Sequence, residues 1–238
     1  MHFGNSSLFM GFKRTKVKRA RAYTLVELLV VIGVLSIAFS LLYIGAGSGD
    51  GAKLSSAQRT FAGLVKSARS QAILKNTKVR LIIYDDNDDD VLNGLDNDGN
   101  YEIDKYRRFI GIVYDNDPDP DVESWVAATK GTFLPKGIYF DENLSRTADG
   151  STWSAPTMQI DYPRLNGQNG NSGTQYVYYE FYDNGIASAP NAYLVFRAGR
   201  FVPGSAAPDF PPEKANLKSA LILRPSGVAT VIDRPDSI

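Results

Sequence analysis

The sequence predicts an α+β protein: a long hydrophobic helix near the amino terminus, continuing to an amphipathic helix packed on a mainly antiparallel β-sheet head. Three observations predict it. Residues 28–44 read LLVVIGVLSIAFSLLYI, seventeen positions without a charge. Leu54, Ala57, Phe61, Leu64, Val65, Ala68 and Ala72 then fall near one stripe at helical spacing. After Lys75 the chain turns to β-branched and aromatic runs separated by turn residues.

The apolar segment comes first. Counted from Tyr23 to Ile44 it is 22 residues, which as a helix spans about 33 Å, enough for a hydrocarbon layer about 30 Å thick. Lys13, Arg14, Lys16, Lys18, Arg19 and Arg21 precede it, with no acidic residue before position 23. Such a basic flank predicts that the amino-terminal side stays cytoplasmic and the rest of the chain crosses. A secretory leader would instead be cut after the apolar run, where Gly45, Ala46, Gly47 and Ser48 offer small residues. Glu27 argues against that alternative. A carboxylate in the first turn of an apolar span is costly in lipid unless it has a partner; near the interface it can also reach water.

The glycines at 45, 47, 49 and 51 predict a bend or soft stretch over residues 45–52. The amphipathic helix is expected from Lys53 to Lys75, with Arg59, Lys66, Arg69 and Lys75 off the apolar stripe. Strands are expected at Val79–Tyr84, Arg107–Tyr114, Ile138–Phe140, Tyr176–Tyr182, Ala192–Arg197, Ser219–Leu223 and Val228–Ile232. Pro225-Ser226-Gly227 should join the last two as a hairpin, and Asp183-Asn184-Gly185 marks another turn. Residues 141–175, rich in Ser, Asn, Gly, Thr and Asp, read as a long surface excursion.

Composition narrows the function. The chain carries 26 basic and 26 acidic residues; without residues 1–22 the balance is 20 against 26, a net −6. An acidic body argues against general nucleic-acid affinity. There is no cysteine, and the one histidine is His2. Beyond the basic head there is thus neither imidazole nor thiol, which excludes Ser-His-Asp and Cys-His catalysis and histidine-ligated zinc there. A carboxylate hydrolase has no paired-acid motif, and the expectation is that the protein is not an enzyme.

One segment invites a cation. From Asp85 to Asp104 there are nine acidic side chains and no basic one. Asp85, Asn87 and Asp89, and again Asp96, Asp98 and Asn100, have alternate oxygen-bearing residues as hard cations require. The turn glycine of an EF-hand would fall at Asp90 or Tyr101, so that motif is rejected. A looser calcium loop and a solvated hairpin tip that keeps a sheet edge soluble both remain open; no other cofactor is expected.

The string Arg21-Ala22-Tyr23-Thr24-Leu25-Val26-Glu27-Leu28 resembles the prepilin signal: basic leader, small residue, aromatic residue, then Thr-Leu-x-Glu opening an apolar helix. It departs in having Ala22 where glycine is typical and Tyr23 where phenylalanine is typical. The segments LVKSARSQAILKNTKVRLIIYD, Leu134–Ile138, EFYDNGIA and ALILRPSGVATVI are similar, more thinly, to GspH/FimT-like minor pseudopilins. The resemblance implies a leader over 1–22, a filament-core and transmembrane helix over 23–44, and a periplasmic head over 53–238. It implies that prepilin peptidase cuts Ala22–Tyr23 and methylates Tyr23. Thr24 and Glu27 then serve assembly, Glu27 pairing with the terminal amine of a neighbouring pilin in an inner-membrane filament of type II secretion or a type IV pilus. A membrane-anchored binding head, calcium-dependent or contacting DNA, is the alternative, with Arg107, Arg108, Arg197 and Arg200 as its basic residues.

Overall fold

The computed structural model describes residues 24–46, 49–87, 102–117, 119, 121–146, 155–163, 166–189, 191–202, 205 and 207–232, with the α1 side chains described through Ser36. The chain divides into two compact units, residues 1–46 and 47–238. The first holds α1, Leu25–Ala46. The second opens with α2, Gly49–Lys75, and continues as a head of eleven described strands.

These are β1 (Val79–Tyr84), β2 (Phe109–Asp115), β3 (Trp125–Ala127), β4 (Thr132–Phe133), β5 (Ile138–Phe140), β6 (Thr157–Ile160), β7 (Asn166–Gln168), β8 (Thr174–Phe181), β9 (Ala192–Ala198), β10 (Lys218–Leu223) and β11 (Ala229–Ile232), with a one-turn helix α3 at Glu102–Lys105. They form two sheets. The first runs β6-β8-β1-β2-β3-β7, with β4 also pairing β2; the second runs β11-β10-β9-β5. Every described strand pairing is antiparallel, from Val79 opposite Tyr114 in β1–β2 to Leu223 opposite Ala229 in the closing hairpin.

α2 forms because its apolar residues recur every three to four positions and bury one face. Leu54, Ala57, Phe61, Val65, Ala68 and Ala72 are buried against Leu81, Ile83, Ile112, Phe140, Tyr179, Leu194, Phe196 and Leu221. Phe61 meets Phe196 with ring centroids 4.9 Å apart. The Gln58 amide donates to the Ala220 carbonyl at 2.9 Å, which fixes the helix along β10. The stripe expected from the sequence is this face, but the helix begins at Gly49 rather than Lys53. The Asp50 carboxylate in its first turn accepts from Lys214 at 2.7 Å and favours the positive helix end. Helix therefore enters the glycine-rich stretch from both sides, through Ala46 and from Gly49.

β1 is buried along its whole length, because both faces of the first sheet are covered. Val79, Leu81 and Ile83 face the α2 core; Ile82 and Tyr84 join a second cluster with Tyr106, Phe109, Val113, Trp125, Met158, Ile160, Tyr162 and Tyr176. Here the sequence reading is corrected. Residues 141–175 are not merely a surface excursion: β6 and β7 lie within it, and Met158, Ile160 and Tyr162 are buried. Tyr162 lies against Gly111, where any added Cβ would overlap its ring, and its hydroxyl donates to the Thr129 carbonyl at 2.7 Å. Gly111 weakens a strand interior in general but here admits the ring.

Candidate functional site: an exposed apolar helix

α1 begins with a cap. The Thr24 hydroxyl oxygen accepts from the Glu27 backbone N–H at 3.2 Å, and the Leu28 N–H closes the first turn onto the Thr24 carbonyl at 3.1 Å. Thr at the cap with Glu three residues on is capping-box spacing. Both residues had been singled out for assembly; that they also set where the helix starts was missed, although T-x-x-E before an apolar run is the signal for it. The Glu27 carboxylate sits in the first turn, where the helix dipole favours negative charge. Among the described residues it has no ion-pair partner, and it is exposed.

The side chains that follow are apolar on every side and all exposed. Leu28 is 61% accessible, Val30 56% and Leu35 48%, and every large side chain between them is exposed and apolar. A helix hydrophobic all round is a buried helix in its working state, and a contiguous apolar surface of this size marks a partner or a membrane. Ser36, the polar residue that follows, donates its hydroxyl to the Ile32 carbonyl at 2.8 Å, so it needs no water. Among the described residues, no helix is long and apolar enough to cross a membrane.

The remaining expected site residues are distributed as follows. Ala22 and Tyr23, the expected cleavage and methylation position, lie outside the described residues, as do Asp89, Asp96, Asp98 and Asn100 of the acidic segment. Asp85 is buried and accepts from Arg107 Nε at 2.8 Å, while Asn87 is exposed. Burial raises the Asp85 carboxyl, and the Arg107 cation opposes that shift. Among the described residues no group of three or more His, Cys, Asp or Glu side chains could hold a metal.

The arginines named for the DNA alternative are engaged within the head. Arg107 also pairs with Glu142 at 2.7 Å. Arg108 donates to the Leu134 carbonyl at 3.1 Å and reaches Asp104 at 3.5 Å. Arg197 pairs with Asp141 at 3.0 Å, and exposed Arg200 with Asp209 at 3.0 Å. Arg80, flanked by Trp125 and Tyr178 at 4.0 and 4.2 Å, pairs with both Glu123 and Glu180. These cations knit strands together rather than form a basic patch.

A capped start, a first-turn carboxylate and an all-round apolar stem coincide with one known pattern. The prokaryotic N-terminal methylation motif matches residues 17–43. The chain carries that motif. Its span takes in Ala22, Tyr23, Thr24, Glu27 and most of α1. Two solved structures of the minor pseudopilin EpsH from the type II secretion system of Vibrio cholerae are also similar to the chain. One is 10% identical with a TM-score of 0.35, covering 76% of this chain and 96% of that one. The other is 12% identical with a TM-score of 0.37, covering 76% and 94%. Comparison with curated proteins finds no match.

Proposed function

We propose that the chain is a structural subunit, a minor pilin or pseudopilin, of a filament serving type II secretion or a type IV pilus. Prepilin peptidase cuts between Ala22 and Tyr23 and the new amine is methylated. α1 stays with the mature protein and crosses the inner membrane once, with the head in the periplasm, until the subunit joins a bundle of like helices. Cleavage after Ala22 leaves Thr24 in place as the cap, so the mature chain begins one residue before that cap.

The observation that carries the reading is Glu27, an exposed carboxylate without an ion-pair partner among the described residues, at the head of a helix exposed and apolar on all its described faces. In a bundle of such helices the partner is the methylated amine of an adjacent subunit. Opposite charges in a low dielectric attract strongly, and each offsets the other's desolvation. The contact fixes the axial register of one subunit against the next.

Glu27→Leu tests this. An anchor alone gains from the change, by about 2–3 kcal/mol of insertion free energy. A filament subunit instead loses the partner of its neighbour's amine. The expected result is normal cleavage and insertion with reduced cross-linking to other pilins, in competition with wild type at equal membrane abundance. Equal recovery would leave α1 as a plain anchor or place the subunit at a filament tip.

A further inference from the structure

The head segregates its charge. Residues 51–75 of α2 carry Lys53, Arg59, Lys66, Arg69 and Lys75 and no acidic residue. Residues 218–232, which hold β10 and β11, carry Lys218 and Arg224 and again no acidic residue. Together they account for seven of the 20 basic residues after position 22 and for none of the 26 acidic ones. The fold lays these two distant segments side by side. Gln58 donates to the Ala220 carbonyl at 2.9 Å, and Arg69 Nε to the Ser226 carbonyl at 2.8 Å. Between them runs a groove of about 490 Å³, lined by Ala62, Gly63, Lys66, Arg69, Val228 and Ala229. Its floor is apolar and its charges are positive. Lys66 is exposed, as is Arg59 two turns earlier.

The same place holds a free sheet edge. β11 ends the second sheet and, among the described residues, pairs with β10 alone. The Val228 carbonyl accepts from the Arg224 N–H at 2.8 Å. Residues of an antiparallel strand turn their backbone groups alternately toward and away from a neighbour, so the N–H and C=O of Ala229 and Val231 point away from β10. Val231 stands opposite Leu221, a core residue on the α2 side of the sheet, and is 48% exposed. Natural edges are blunted by charge, proline or a covering element. Two others in the head are covered: the Phe140 N–H of β5 donates to the Arg107 carbonyl at 2.9 Å, and the Gln159 N–H of β6 to the Gly170 carbonyl at 2.8 Å. Ala229-Thr230-Val231-Ile232 has neither charge nor proline.

We propose that this edge is a docking site for an extended segment of a partner protein, rich in acidic and apolar residues, that adds to β11 as a further strand. Main-chain hydrogen bonds to Ala229 and Val231 supply affinity, and side chains supply specificity. Apolar side chains enter the groove beside Val228, and acidic ones face Lys66 and Arg69. An acid-free wall on an otherwise acidic head selects a negatively charged partner. Outward-facing backbone groups and an apolar floor select a polypeptide strand over a polyanion such as duplex DNA. The site lies wholly within the head and does not rest on how α1 is processed or assembled.

The test uses the detergent-extracted full-length chain and a fluorescein-labelled octapeptide, with valine and threonine alternating at its centre and aspartates at both ends. Fluorescence anisotropy should show saturable binding. The same peptide with lysine for aspartate should bind at least about tenfold more weakly, and Lys66→Glu should shift the preference toward the lysine peptide. Methylating alternate backbone nitrogens of the aspartate peptide should abolish binding, because it removes the donors that strand addition needs. Val231→Pro removes an outward N–H from the edge and should weaken binding about tenfold with the groove charges intact. The proposal is overturned if the aspartate peptide does not bind, if both peptides bind equally, if Lys66→Glu changes neither, or if backbone methylation has no effect. Binding of a DNA duplex that Lys66→Glu removes, without binding of the peptide, would assign the wall to a polyanion and overturn it as well. Glu27→Leu should bind the peptide as wild type does, so this idea and the filament reading fail separately.

Discussion

α1 and α2 are both long helices in one short stretch of chain, yet they solve opposite problems. α2 places six buried residues on one face and leaves Arg59, Lys66 and Lys75 to solvent. Its apolar stripe is buried by its own head, with only Ile73 and Leu74 exposed near its end. α1 has no such face: apolar residues go all the way round, and those described are exposed. Periodicity, more than hydrophobicity, tells a helix that completes a fold from one that awaits a partner.

The largest effect should come from the satisfied helix. Phe61→Ala removes a fully buried ring packed on Phe196, and should destabilise the head by about 3–5 kcal/mol. Leu29→Ala on α1 should leave head stability unchanged. Urea unfolding of the detergent-extracted full chain, followed by the fluorescence of its two tryptophans, Trp125 and Trp153, reads both. A comparable loss from Leu29→Ala would show that α1 is part of the head's core.

Next in size is the contact that makes the middle of the chain a second covering layer. Gly111→Val drives a side chain into the Tyr162 ring and should destabilise the head by about 1–3 kcal/mol, as overpacking commonly does. Tyr162→Phe keeps the ring and removes only the hydroxyl's hydrogen bonds to the Thr129 carbonyl and hydroxyl, so it should do less, about 1 kcal/mol. If Gly111→Val unfolded no earlier than wild type, residues 155–163 would be loose cover rather than core.

Much of this architecture was legible. β1 and β5 have the bounds expected from their β-branched and aromatic runs, and the hairpin around Pro225-Ser226-Gly227 joins β10 to β11 as its turn residues indicated. The buried face of α2 followed from spacing alone. β6 and β7 were missed because Thr157-Met158-Gln159-Ile160 is too short to stand out among Ser, Asn and Gly, although its alternation was present. β3 escaped for the same reason, being three residues long. Sequence could name Arg107, Arg108 and Arg197 as basic; only the fold shows that Asp85, Asp104 and Asp141 meet them.

Smaller effects separate the two helix starts. Thr24→Ala removes the hydroxyl that accepts the Glu27 N–H and should loosen the first turn of α1 by about 1 kcal/mol. Hydrogen exchange at the Glu27 and Leu28 amides in micelles should quicken about fivefold, with the head unaffected. Asp50→Asn at the start of α2 should lower head stability by a few tenths of a kcal/mol, as expected for a solvent-screened pair. The hydrogen bond from Lys214 holds the Asp50 carboxyl below its usual 3.8. A depressed carboxyl stabilises the fold above that value and ceases to do so as pH falls through its folded value. The mutant and wild-type melting curves should therefore differ near neutrality and converge as pH falls through the depressed folded value. A gap that persists in acid would assign the effect to packing instead of charge.

The central claim is that α1 stays with the mature protein and opens it, with Thr24 as its cap. Intact mass and amino-terminal sequencing of the membrane-extracted protein test this most directly. The account predicts a chain beginning at Tyr23 with one added methyl group, its apolar helix retained. A chain beginning near Gly47, with residues 23–46 removed, would contradict it: α1 would then be a discarded secretory leader and the head a freely released domain.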